Sequence, residues 1–412
     1  MIGRYLRGLD PRLPRPVWIM EAGGLVNAFG NGITFPFLVI YLHNVRGFSL
    51  VTAGLVLAAG NAIGLLAGPI SGPIIDRIGG RVTLAGALVL MAIGYGSYPL
   101  VDEPWHAFAA ALVGGIGNGF FWPSQSTLLA ALTPRPRRHA AFAMQRVSRN
   151  LGIGLGGVAG GLIATTSDPT SFTILFLVDA VTFFGFVGAL AFVPEPTLTD
   201  PEEHAPGAAG YLDVLRHRVF VAFVALNVLF VASGYAVFEL LPVFAKNEAG
   251  VSERAIGVIF LVNTLVIVLA QLPVSKLLEG RRRMVALAVM NGIWALAWLV
   301  VLATGAYMEA LLAAVLFAVA AAVFGVGETL QGPTQGALVA DLAPDRLRGR
   351  YMAVSTTSWQ LGFVIGPAVG GFVLEAEPLA LWPLAAGVCL VAALGSLALE
   401  RGLPRELRLT PG

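Results

Sequence analysis

The sequence predicts an all-α integral membrane protein of twelve transmembrane helices, arranged as two pseudo-symmetric six-helix bundles. Three observations carry this: too few charges for a water-facing surface, twelve apolar runs of spanning length, and a gapless internal repeat. Of the 412 residues, 57% are hydrophobic and only 12% charged, against about 25% charged in an ordinary soluble domain. Mean hydropathy is +0.79. So few charges cannot cover the surface of a chain this long, and lipid is expected to be its main solvent. The formal net charge of +2 gives no reason to expect a nucleic-acid partner. Cys389 is the single cysteine and sits in an apolar run. One thiol can form neither an intrachain disulfide nor a thiolate metal cluster, so no redox chemistry is expected.

The first six apolar runs lie near 16–42, 50–75, 82–101, 105–132, 140–165 and 172–193. The second six lie near 219–245, 252–278, 284–305, 309–335, 350–374 and 378–399. Each is close to the ~20 residues that cross a ~30 Å hydrocarbon layer. They must be helices, because only helices and closed barrels satisfy their backbone groups in lipid. The runs are too long, and too poor in period-two alternation, for barrel strands. The first is roughly twice the apolar length of a signal peptide and lacks a small-residue cleavage pattern, so it is expected to be a span.

Twelve spans place both termini on one side. Assigning each basic residue to its nearest loop puts all but three of the 26 Lys and Arg there. They include Arg135, Arg137 and Arg138, the triplet Arg281 to Arg283, and Arg346, Arg348 and Arg350. Arg46, Lys246 and Arg254 fall opposite, where Asp102, Glu103, Glu375 and Glu377 collect. The positive-inside bias therefore predicts cytoplasmic termini in a multi-pass protein of the cell (inner) membrane.

The stretch 194–218 is the one obvious linker, with Pro194, Pro196, Pro201, Pro206 and acidic Asp200, Glu202 and Glu203. It reads as a solvated cytoplasmic loop between bundles at 1–193 and 219–412. Shifting the first half by 210 positions aligns Gly115–Gly161 onto Gly325–Gly371 without gaps. Gly115, Gly117, Pro123 and Gln125 fall on Gly325, Gly327, Pro333 and Gln335. Gly152, Gly156, Gly160 and Gly161 fall on Gly362, Gly366, Gly370 and Gly371. Phe35-Pro36-Phe37 and Leu241-Pro242-Val243 form a smaller echo at a slightly different offset. This is the parallel two-half repeat of six-plus-six transporters, whose substrate cavity lies between the halves.

Between the second and third runs the chain reads Gly72-Pro-Ile-Ile-Asp76-Arg77-Ile-Gly79-Gly80-Arg81. This resembles the G-x-x-x-D-R-x-G-R-[RK] signature of the major facilitator superfamily, with Gly80 at the first Arg position. Gly72 allows close helix approach, Gly79 and Gly80 permit a tight turn, and Asp76 can cap a helix N-terminus across the interface between halves. Lys276 to Arg283 keeps charge at the equivalent place but loses the Gly-x-x-x-Asp pattern. The fifth run holds Gly152, Gly156, Gly157, Gly160 and Gly161, and the eleventh holds Gly362, Gly366, Pro367, Gly370 and Gly371. In the family, G-x-x-x-G-P-x-x-G-G on the fifth helix is typical of drug–proton antiporters; here the proline stands in the eleventh. Such glycines serve small-residue packing or a hinge. Antiporters of that group also carry R-x-x-x-G-x-G on the fourth helix. Here Ala111 or Val113 stands at the arginine position. Arg149 either substitutes for it or snorkels to the surface.

The resemblance implies that the first, fourth, seventh and tenth helices line a central path, and polar stripes fall on those four. They are Asn27 and Asn31, then Asn118, Trp122 and Gln125, then Asn227, Tyr235 and Glu239, and last Glu328, Gln331 and Gln335. Intramembrane carboxyls are costly and face a cavity or a partner. Glu239 and Glu328 are candidate proton-coupling or substrate-binding acids, or else structural hydrogen bonders. Glu21 is a candidate partner of Arg149, and Asp179 a candidate interhelical bond or functional acid. Trp122 and Trp359 are cavity aromatics for an amphiphile, or packing residues.

No enzyme, catalytic residue, metal site or cofactor is expected. The five histidines do not cluster, and no H-x-x-x-H, G-x-S-x-G or Walker loop occurs. The expected function is a monomeric secondary transporter alternating access around a central cavity. The resemblance points first to proton-coupled efflux of amphiphilic small molecules. The alternatives are uptake or facilitated transport of a polar metabolite such as a sugar or peptide, and lipid translocation.

Overall fold

A computed structural model describes residues 13–134, 137–195, 209–344 and 347–410. Arg135, Arg346 and 196–208 of the linker lie outside the described residues. Among these, twelve long helices follow in order: α1 (Arg15–Val45), α2 (Leu50–Ile78), α3 (Gly80–Gly96), α4 (Pro104–Leu132), α5 (Arg138–Ile163), α6 (Pro169–Leu190), α7 (Arg218–Phe238), α8 (Glu253–Leu278), α9 (Arg283–Tyr307), α10 (Ala310–Leu342), α11 (Arg348–Ala376) and α12 (Leu381–Gly402). Ten of them are long and apolar enough to cross a membrane. The other two, α4 and α5, are equally long but carry the glycine-rich and Arg-bearing faces of the repeat. The linker is not loop throughout, since Ala209–Arg216 forms a short helix before α7.

Sequence chemistry accounts for the ends. Ser49 and Ser252 start α2 and α8 by accepting from the amides of Thr52 (3.0 Å) and Ala255 (3.4 Å). Asp168 starts α6 through Thr170 (2.9 Å). Pro36 and Pro242 cannot donate to the helical ladder. Accordingly, α1 tightens at Phe35–Phe37, and α7 breaks at Glu239 and Leu240 before Leu241–Ala249 resumes. Gly79 separates α2 from α3 at φ +90, where an L side chain is strained. Gly280 makes the matching turn between α8 and α9 at φ +67.

The repeat reappears as packing. Helix α5 lays Gly152, Gly156 and Gly160 against α1, and α11 lays Gly362, Gly366 and Gly370 against α7. Gly115 and Gly119 meet the α2 backbone at Gly60 and Gly64, while Gly325 meets Asn263 of α8. Further along α5, Gly161 faces Glu253 and Gly257 of α8; its counterpart Gly371 faces Leu50 and Gly54 of α2. These last contacts join the two six-helix bundles, which thus meet along α5–α8 and α2–α11.

Both seams are tightest at the end away from the termini. There the Asn44 amide donates to Asn247 (2.7 Å), and the Leu50 amide to Glu375 (2.5 Å). Glu253 accepts from the Thr166 amide (2.9 Å) and from Lys246 (2.8 Å). At the other end, where the C-terminal tail pairs with the α8–α9 turn through Thr410 and Arg281, Gly72 has open space around it and Asp76 and Arg77 are exposed. Among the described residues Asp76 makes no hydrogen bond or ion pair, so the expected cap across the interface is not seen. The bundles are closed at the far end and apart at the terminal end.

Asp179 of α6 is fully buried against α1, accepting from Thr34 (2.9 Å) and more weakly from Thr182 (3.4 Å). Glycine at position 30 leaves room for both groups.

Thr34→Val removes the shorter of the two bonds to the Asp179 carboxyl, leaving Oδ2 without a donor, and is expected to cost about 1–3 kcal/mol, read as a lower melting temperature in detergent. An unchanged melting temperature would mean that Asp179 is satisfied elsewhere. A second test targets the closed end. Cysteines placed at Asn44 and Asn247 and joined as disulfides by a short bis-methanethiosulfonate, which releases methanesulfinate at each end, should stop transport, and reductant should restore it; the native Cys389 is buried. Undiminished transport by the linked protein would show that this end does not open.

Candidate functional site

The splayed bundles leave a cleft between α4 and α5 on one side and α7, α10 and α11 on the other. Its floor in the C-terminal half is aromatic. Tyr235 packs its ring near Trp359 (5.0 Å between centroids), Trp294 (5.2 Å) and Phe324 (5.9 Å). Trp294 is held by donating its indole N–H to the Phe324 carbonyl (3.0 Å). It fits only because Gly234 and Gly327 have no side chain beneath its ring.

A chain of polar groups runs from Tyr235 into the packing behind the same wall, where Gln331 and Gln335 are buried. The Tyr235 hydroxyl donates to Gln331 Oε1 (2.6 Å), and Gln331 Nε2 donates to Gln335 Oε1 (2.7 Å). The spacing of 328, 331 and 335 puts all three on one face of α10. Glu328 is half-buried and accepts from Asn263 Nδ2 of α8 (3.1 Å), which also donates to the Ala321 carbonyl. The facing wall contributes Trp122 of α4, 39% exposed, with the Arg149 guanidinium 5.0 Å from its ring centroid. Arg149 lies within electrostatic range of Glu328 and Tyr235 across the cleft. Arg146, one turn earlier on the same face, reaches α10, where a side chain at Gly332 would strike it. Both arginines are exposed although they point between the bundles, so the cleft is solvent-accessible. With the far end shut, access is from the terminal end.

The structure therefore brings together Glu328, Gln331, Gln335, Tyr235, Trp359, Trp122 and Arg149. Other candidates sit elsewhere. Glu21 is buried and hydrogen-bonds Ser148, rather than pairing with Arg149 as expected. Asn27 is buried with its amide nitrogen unpartnered. Asn227 is buried and donates to Ser358 of α11 (2.7 Å), and Gln125 is buried beside Gly24. Asn31 and Asn118 are half-buried. Glu239 is buried at the break in α7 and shares with Asp179 the electrostatic surroundings of Tyr95. In the loop motif, Arg81 donates to the Val193 carbonyl (3.0 Å) and lies 3.5 Å from Glu195, so the α2–α3 turn is tied to the end of α6.

Sequence reasoning missed Arg146, Asn263 and Trp294. Arg146 read as a loop-side positive charge, although its spacing of three from Arg149 marks one helix face. Asn263 was legible only as a lone amide in an apolar run.

The description Major Facilitator Superfamily matches residues 21–316 and 240–411. Among curated relatives, the MFS-type transporter YqjV of Bacillus subtilis is 24% identical, over 91% of each chain. Multidrug resistance protein MdtH of Yersinia enterocolitica is 25% identical, covering 85% of this chain and 84% of that one. Solved structures share the fold at low identity. The nucleoside transporter NupG gives a TM-score of 0.75 at 14% identity, over 94% of this chain and 99% of that chain. A D-xylose–proton symporter gives 0.71 at 17%, over 92% and 96%. With its family match from the first helix to the last, its two six-helix bundles and its Gly72–Arg81 loop, the chain belongs to the Major Facilitator Superfamily of membrane transporters.

Proposed function

We propose that this transporter exports amphiphilic small molecules in exchange for protons, by rocking two bundles, 1–193 and 219–412, joined by the linker 194–218. The observation that carries this reading is the cleft at the bundle interface. It is walled by Tyr235, Trp359 and Trp122, with Trp294 buried beneath Tyr235; it contains Glu328 and Arg149 and is closed at one end only. Flat aromatic faces suit an apolar body, and a few fixed polar groups suit its head. The likeness to MdtH, a multidrug resistance protein, supports export, and the skew of basic residues supports cytoplasmic termini in the inner membrane. A cleft open on the terminal side is then the state that loads cargo from the cytoplasm. The protein is expected to work as a monomer.

Two carboxyls suit the coupling role. Glu328 stands in the accessible cleft on a neutral amide donor, and Glu239 is buried at the helix break, with no hydrogen bond to its carboxyl among the described residues. Buried or half-buried acids that face a partner bundle can change proton occupancy as the bundles move apart.

A second reading draws on the Tyr235–Gln331–Gln335 ladder, which suits a hydroxyl-rich or amide-rich solute. It makes the protein a carrier of a polar metabolite.

In cells loaded with a lipophilic dye, collapsing the proton gradient should raise accumulation several-fold, and Glu239→Gln or Glu328→Gln should abolish that difference. Accumulation unchanged by gradient collapse and by both substitutions would sink proton exchange. Equilibration of a polar solute into proteoliposomes without any imposed gradient would favour the second reading.

A further inference from the structure

We infer that the cleft selects cargo bearing an anionic group on a flat apolar body, with Arg149 and Arg146 as the cations that receive it. This deepens the transporter reading and rests on the cleft being its cargo site. The argument begins with the ion pairs. Arg46, Arg81, Arg216, Lys246, Arg282 and Arg283 each have a carboxylate within 4.0 Å. Arg146 and Arg149 have none among the described residues, although both lie well inside α5 and face the cleft. Arg149 rests instead on the Trp122 ring at 5.0 Å, and Arg146 projects past Gly332.

Unpaired charge in surroundings of low dielectric is costly, and it stands only where water or a ligand compensates it. Glu328 does not neutralise the pair. Its carboxyl is held by the neutral Asn263 amide at 3.1 Å, and even when ionised it leaves a surplus of one positive charge. A guanidinium offers planar, forked donors that match a carboxylate in two-point contact. Directly across stand Tyr235 and Trp359, whose rings lie 5.0 Å apart. An aryl carboxylate can therefore place its acid on α5 and its ring against α7 and α11, bridging the two bundles. A cationic amphiphile of the same shape meets two like charges.

The test is equilibrium binding to purified protein by calorimetry, with 2-naphthoate, 2-naphthamide and (2-naphthylmethyl)trimethylammonium as probes of one shape and three charges. Naphthoate is expected to bind roughly tenfold or more tighter than naphthamide, and the ammonium more weakly than either. Arg149→Gln should erase the preference for the acid while changing naphthamide affinity far less, and Arg149→Lys should keep part of it. Arg146→Gln serves the same purpose if Arg149→Gln does not fold, as judged by its melting curve. Naphthamide or the ammonium binding as tightly as naphthoate, or equal losses for acid and amide in the glutamine variants, overturns the inference; so does absence of naphthoate binding at millimolar concentration. No gradient is present in this measurement, so its failure is distinct from a failure of proton-coupled export.

Discussion

The contact on which the rest depends is backbone-to-backbone approach at the far-end seams, Gly157 and Gly161 with Gly257, and Gly371 with Gly54. Between helices in lipid there is no water to expel, so association rests on close van der Waals approach. A Cβ at Gly161 would lie 2.6 Å from the Glu253 carbonyl oxygen, and one at Gly371 would lie 2.6 Å from that of Leu50. Side chains at these positions would push the bundles apart where they now touch. The seams hold the far end shut, and the openness of the terminal end and the accessibility of the cleft follow from them. Small residues also make weak, non-interlocking surfaces, which suits an interface that must part and re-form.

Helix α5 and its counterpart α11 carry this geometry because each has two glycine faces. One face, at 152, 156 and 160 or at 362, 366 and 370, binds the helix to its own bundle through α1 or α7. The other, at 157 and 161 or at 371, touches the opposite bundle. Both sides of the helix therefore serve packing, one within its bundle and one between bundles. Just before these faces, Arg149 reaches Trp122 of α4 and Arg146 reaches Gly332 of α10.

The fold was legible because its signals are local or self-referential. Hydropathy marks most helices, Pro36 and Pro242 mark the breaks, and a repeat in register relates the halves without reference to any other chain. Helices α4 and α5 are long enough but fall short in apolar character; the repeat recovers them. The site was legible only in part. Spacing put Glu328, Gln331 and Gln335 on one face, and they share a wall. What spacing cannot supply is the partner from another element. Glu328 meets Asn263 of α8, Glu21 meets Ser148, and Trp294 enters beneath Tyr235 from α9, each a pairing between helices that spacing along one helix does not encode. Asp76 adds a different case: spacing suggested a cap, and among the described residues none is made.

The pairing of Glu328 with an amide instead of a guanidinium has a consequence for how the cleft can work. An arginine–carboxylate pair closed across the bundles would be a strong, directional lock, and breaking it would leave an uncompensated charge on each side. Asn263 removes that lock. It satisfies the carboxyl from within its own bundle, through a donor that binds the neutral acid as well as the carboxylate. The guanidiniums opposite are then left to water or cargo, and the proton on Glu328 can come or go without an ion pair having to break first. An arginine in place of Asn263 would instead couple the carboxyl's charge to the helix packing of α8 and α10. By keeping the acid on a neutral donor, the C-terminal bundle separates two jobs that a salt bridge would merge: holding a proton, and holding the two halves together.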